Sequence, residues 1–257
     1  MINRDSIKAL AVAAVCFTGM VMLFGVIFDL PARSQQFLDP TPKDKGYNFD
    51  EIADQIKDPY PHYEQYADRV DKLPEFEPPA DNHLTEEQIH KYYQVIMHCW
   101  SRISEFKKVY VDHPESGFGK ALLLFGSGDV IVKLCQVEGL DKAKMREEEF
   151  DFVRYEIFKA ALFAVNVQLA QPGLSSETTD ALLSARVQLS QMQGLDPPAD
   201  PWKPPNKKFD ASQIPRHNIA LVIKFKDEVR HRRTNFKNVR FDYEAIMKAA
   251  QAQGLPE

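Results

Sequence analysis

Glu87 with His90 and Glu228 with His231 repeat one spacing, Glu-x-x-His, by which a helix presents a carboxylate and an imidazole to a common metal. Residues three apart on a helix share a face. Two such pairs, joined by carboxylates from facing helices, make a di-iron centre, and Glu149 and Glu156 could supply the rest. Two local features oppose that chemistry. Glu87 falls within the capping turn of its own helix, and His231 sits in Arg230-His231-Arg232-Arg233, whose cations repel a metal ion. The pattern therefore favours solvated helix faces. The four residues define the alternative reading, a metal-binding or redox helical bundle tethered to a membrane.

Other chemistries lack their residues. No GxSxG, HExxH or GxxxxGK[ST] occurs, and Gly126-Ser127-Gly128 has no third glycine for a dinucleotide loop. Gly119-Lys120 is followed by Ala121, which offers no hydroxyl to magnesium. The three cysteines, Cys16, Cys99 and Cys135, form no CxxC or zinc pattern. Cys99 and Cys135 read as two isolated buried thiols, with a bridge between helices open to them in an oxidising compartment. His98 and Cys99 are adjacent and point about 100° apart on a helix, so they do not chelate. His62, His83, His113 and His217 have no partner fixed by spacing. The chain is accordingly not read as an enzyme, and no cofactor is expected.

The elements that carry these residues begin with residues 9 to 28, an apolar run without a single charge, bounded by Lys8 and Asp29. At ~1.5 Å per residue it reaches ~30 Å, the hydrocarbon thickness of a bilayer. A cleaved signal normally has an apolar region of only about 7–15 residues and a small-x-small cleavage site. Here Phe28, Leu30 and Pro31 occupy the positions such a site needs, so a retained transmembrane anchor over 9–30 is expected. Arg4 and Lys8 place the N-terminus in the cytoplasm and the body outside the inner membrane, in the periplasm of a bacterial cell. Ala11, Ala14, Thr18, Val21 and Gly25 make a small-residue face on which another subunit's helix could pack.

Residues 31–84 hold eight of the seventeen prolines together with Phe37, Tyr47, Phe49, Tyr60, Tyr63, Tyr66 and Phe76. Proline blocks long helices, and a free linker cannot bury so many rings. The reading is an extended strap with helical pieces near 49–57 and 61–72, lying on this chain's body or on another subunit. A bundle follows over 85–194. Thr85-Glu86-Glu87-Gln88 is a capping box opening a helix over 86–111, with Ile89, Tyr92, Tyr93, Ile96, Trp100, Ile103 and Phe106 as its stripe. Further helices are predicted over 145–170 and 175–192, and a helix is favoured over a hairpin for 119–137. Up-and-down packing is the expectation. Residues 195–257 read as a proline-rich linker and basic C-terminal helices, one running from Pro215 to about 234 and one over 243–253.

The net charge of −5, from 32 basic and 37 acidic residues, gives no general attraction to nucleic acid. Its distribution is uneven. Residues 39–87 carry fourteen acidic against five basic side chains, and residues 207–240 carry ten basic against three acidic. The two zones could neutralise one another. Alternatively, Arg216, Lys224, Lys226, Arg230, Arg232 and Arg233 meet anionic headgroups or an acidic partner. The sequence as a whole, with residues 1–8 as a short tail, reads as a mostly α single-pass membrane protein. Its expected role is that of an accessory or scaffold subunit of a membrane assembly, with lipids and integral membrane subunits as partners. Neither nucleic acid nor a small-molecule substrate is expected.

Overall fold

A computed structural model of the chain describes residues 51–52, 54–55, 58–112, 127–192, 211–228 and 239–257. Every regular element among them is helical: α1 (Pro59–Asp71), α2 (Glu86–Asp112), α3 (Ser127–Ala143), α4 (Glu147–Leu169), α5 (Ser176–Met192), α6 (Arg216–Lys224) and α7 (Tyr243–Ala252). None of the described helices is long and apolar enough to cross a membrane. The stretch 9–30 with its Ala11, Ala14, Thr18, Val21 and Gly25 face lies outside the described residues, as do Arg230, His231, Arg232 and Arg233.

The helix ends follow local chemistry. Thr85 Oγ1 accepts from Gln88 N at 3.1 Å while Thr85 N donates to Gln88 Oε1 at 3.0 Å, which closes the capping box at the start of α2. Glu147, Glu148 and Glu149 fill the first turn of α4, where the helix dipole favours negative charge. Asp242 caps α7 by accepting from Ala245 N at 3.0 Å. α3 stops because Lys144 turns to a φ of 52°, letting Met145 N reach Leu140 O at 3.0 Å and Lys144 N reach Asp141 O at 3.3 Å. Gly254, at φ 69°, closes α7 in the same way.

α4 is the axis of the bundle. It packs against α2, α3, α5, α6 and α7, and its residues from Glu156 to Val165 are all buried. A helix covered on every side must be apolar all round, which the Ala-Ala-Leu-Phe-Ala-Val run supplies. α2 and α1 both lie on α3.

Several boundaries differ from the sequence reading. Residues 51–52 and 54–55 are helical, in keeping with the piece expected near 49–57, and the second piece of the strap is α1, which starts at 59 instead of 61, with Pro59 and Pro61 in its first turn, where a missing N–H costs nothing. Tyr63, Tyr66, Ala67 and Val70 turn onto the chain's own core, Leu84 joins that core, and Phe76 meets Phe152 at 5.4 Å between ring centroids. Arg146 secures this segment by donating to the carbonyls of Asp71 at 3.1 Å and Leu73 at 3.0 Å. Of the stretch 119–137, residues 119–126 lie outside the described residues, and the rest is helix α3, which runs to Ala143 instead of ending near 137. α6 ends at Lys224: Phe225 leaves helical geometry, and a turn follows through Glu228. Tyr47 to Glu257 form one compact unit, so the C-terminal helices share the core with the bundle.

Candidate functional site

The buried face of α2 follows Tyr92, Val95, Cys99, Arg102 and Phe106, at alternating steps of three and four. A guanidinium thus occupies a core position. Arg102 Nε donates to Glu138 Oε2 on α3 at 3.1 Å, and its Nη atoms donate to Glu105 and to Gln55, a buried residue of the helical segment before α1. Glu138 accepts from Lys142 Nζ at 3.0 Å on its other oxygen, and His98 Nε2 stands 3.3 Å from that same oxygen. Burial resists the charge on Glu138, yet His98, Lys142 and Arg102 outweigh it and hold the carboxyl down to about 2. One charge network therefore ties α2, α3 and the segment before α1 together.

The thiols of Cys99 and Cys135 lie at this junction, both reduced. Burial foremost, with the nearby Glu138 charge, pushes Cys99 up to about 12. Burial and then Cys99 itself push Cys135 upward. Neither is a thiolate at neutral pH, so neither is a ready nucleophile. Tyr92 is wholly buried against Phe150, 5.3 Å between centroids, and burial raises its hydroxyl pKa above the ordinary value.

A second polar node sits where α4 meets α6. Asn218, fully buried, accepts from Leu84 N at 2.8 Å and donates to Asn82 O at 2.8 Å and to Glu156 Oε2 at 3.4 Å. Lys159 neutralises Glu156 at 2.9 Å. Beside them the rings of His83 and His217 stack at 5.0 Å, and His217 Nε2 lies 3.0 Å from Leu84 O.

The residues singled out by the Glu-x-x-His spacing separate and recombine. His90 Nδ1 is 2.6 Å from Glu228 Oε2, so one member of each pair meets the other pair's partner. Glu87 turns away to Lys91 at 2.9 Å, and that bond holds its carboxyl below the usual range. Glu149 accepts from Gln88 Nε2 at 3.3 Å, and Glu156 belongs to the Asn218 node. Among the described residues, no group of three or more His, Cys, Asp or Glu side chains is arranged to hold a metal ion. Of the basic residues, Arg216 pairs with Glu257 at 2.7 Å, Lys224 pairs with Glu86, and Lys226 Nζ donates to Val239 O at 2.8 Å. Acidic and basic zones thus meet at Glu86 and Lys224.

No family model, curated protein or solved structure matches the chain. The chemistry of the site rests on its own geometry. It joins helices through charge-assisted hydrogen bonds inside a core. Sequence reasoning passed over Arg102, Glu138 and Asn218 as residue types usually found on solvated faces. The available signal was the three-four spacing that carries the α2 stripe from Cys99 through Arg102 to Phe106.

Proposed function

We propose that the chain is a single-pass, membrane-anchored helical subunit that serves as an accessory or scaffold in a larger membrane complex through protein contacts and without catalysis. The observation that carries this reading is the uncharged run from Ala9 to Phe28, long enough for a bilayer and bounded by Lys8 and Asp29. The small face of Ala11, Ala14, Thr18, Val21 and Gly25 supports lateral packing against another membrane helix, since close backbone approach is what drives association in lipid. A rigid body suits the role. The Arg102 and Asn218 networks use buried polar groups to hold helices in place, and Tyr63 and Tyr66 of the strap pack on the same core.

In this reading the N-terminus lies in the cytoplasm and the helical body in the periplasm, across the inner membrane. Purification of the full chain from membranes in mild detergent should bring down integral membrane partners in fixed ratio. Replacing Ala14 and Gly25 by leucine should release them while the chain stays membrane-bound. Mature protein starting near Arg33, or full-length chain that dissolves without detergent, overturns the proposal.

A further inference from the structure

α2 and α3 run antiparallel in a fixed register. His98 and Arg102 on α2 meet Lys142 and Glu138 on α3, so each turn forward along one helix matches a turn back along the other. A parallel row of contacts lies beside this one. Gly139 faces Val95 so closely that a Cβ on the glycine would sit 3.2 Å from Val95 O and 3.3 Å from Val95 Cα. One turn further along α2 from Val95 is Cys99, and one turn back along α3 from Gly139 is Cys135. The register that opposes Val95 to Gly139 therefore opposes Cys99 to Cys135. Packed helix axes normally stand about 8–10 Å apart, whereas a disulfide needs Cα atoms within about 4.4–6.8 Å. The glycine crossing supplies the closer approach.

We infer that Cys99 and Cys135 are a disulfide-forming pair, which an oxidised low-molecular-weight disulfide converts to a covalent link between α2 and α3. The step is ordinary exchange. Cys99, the more exposed of the two, loses its proton and attacks one sulfur of the donor, expelling the donor's other half as a thiolate. Cys135 then loses its proton and attacks the Cys99 sulfur of this mixed disulfide, expelling the second thiolate. The two cysteines are oxidised to a cystine, the donor is reduced to two thiols, and the two protons released balance the two thiolates. Burial keeps both groups as thiols in the closed fold, so exchange proceeds through local opening. The inference is independent of the membrane proposal.

The test uses the full chain in detergent with Cys16→Ala, which removes the third thiol. It is incubated with excess oxidised glutathione at pH 8 over urea concentrations from zero to the foot of the unfolding transition, so that slow opening is not mistaken for wrong geometry. Peptide mapping should show Cys99 joined to Cys135, with the mass of the chain lowered by two hydrogens and the unfolding midpoint raised until dithiothreitol is added. Cys99→Ala and Cys135→Ala chains, each checked for native helicity, should show no such rise. Two free thiols throughout, stable glutathione adducts, or cross-linked dimers overturn the inference.

Discussion

Arg102 and Glu138 face each other across the α2–α3 contact with Nε and Oε2 3.1 Å apart, both side chains at most about a tenth exposed. Two charges taken out of water together cost much of what their attraction returns, but one charge left behind costs far more. Arg102→Ala should lower unfolding stability by about 3–5 kcal/mol, because Glu138 would remain buried with Lys142 and His98 alone. Arg102→Met combined with Glu138→Leu should recover most of the loss. Urea unfolding of the parent, Arg102→Met, Glu138→Leu and the double variant closes a double-mutant cycle that measures the coupling. Additive effects would show that the pair is not coupled.

Acid should unfold the chain through the same carboxylate. The folded carboxyl of Glu138 is held down to about 2 from its ordinary 4.5, so the unfolded state takes up the proton first. The associated stability is fully present well above pH 4.5 and is lost as pH falls toward 2, on the order of 3 kcal/mol in total. Glu138→Gln should flatten that part of the pH profile while lowering stability at pH 7. A Gln chain with the same acid dependence as the parent would contradict this.

Asn218 joins three segments distant in sequence through Leu84 N, Asn82 O and Glu156. Asn218→Ala leaves a buried N–H and a carbonyl without partners, at about 2–3 kcal/mol. Amide exchange should report the damage locally, with protection lost first at Leu84. Unchanged protection at Leu84 would show that the side chain is not its acceptor.

Lys144 holds a φ of 52° at the end of α3, a conformation that glycine adopts without steric cost. Its ion pair with Asp141 is mostly exposed on the lysine side and contributes little. Lys144→Gly should therefore raise stability by about 0.5–1 kcal/mol, read as a higher urea midpoint at unchanged slope. A lower midpoint would mean that the Asp141 pair outweighs the strain.

Periodicity made α2, α4, α5 and α7 legible, because their apolar stripes are set by the same burial that forms them. The end of α6 was not legible. Phe225 and Lys226 continue the helical period, yet the chain turns at Phe225, whose ring meets His90 edge-on at 5.1 Å while Lys226 reaches Val239 O. Those contacts come from segments far away in sequence. The length of α3 was obscured by Glu138 and Asp141, which look like a solvated face but are buried and paired with Arg102 and Arg69 from other helices. The Glu-x-x-His reading assumed that each glutamate serves the histidine on its own helix. Lys91, four residues after Glu87, captured that carboxylate instead, leaving His90 to Glu228.

Gly139 sets two effects against each other. Alanine is preferred over glycine inside a helix by about 1 kcal/mol, which favours Gly139→Ala. Its methyl group would lie 3.2 Å from Val95 Cγ1 and Val95 O and 3.3 Å from Val95 Cα. The side-chain contact could relax by rotation, but the two backbone contacts relax only if α2 moves away from α3. That displacement stretches the Arg102–Glu138 bond and loosens a packed core, a cost of about 1–3 kcal/mol. The steric term wins, and Gly139→Ala should lower stability by about 1 kcal/mol. Val95→Ala relieves only the Cγ1 contact, so it should not rescue the substitution. Full rescue by Val95→Ala would show that the helices are held apart by side chains and that their backbones do not touch.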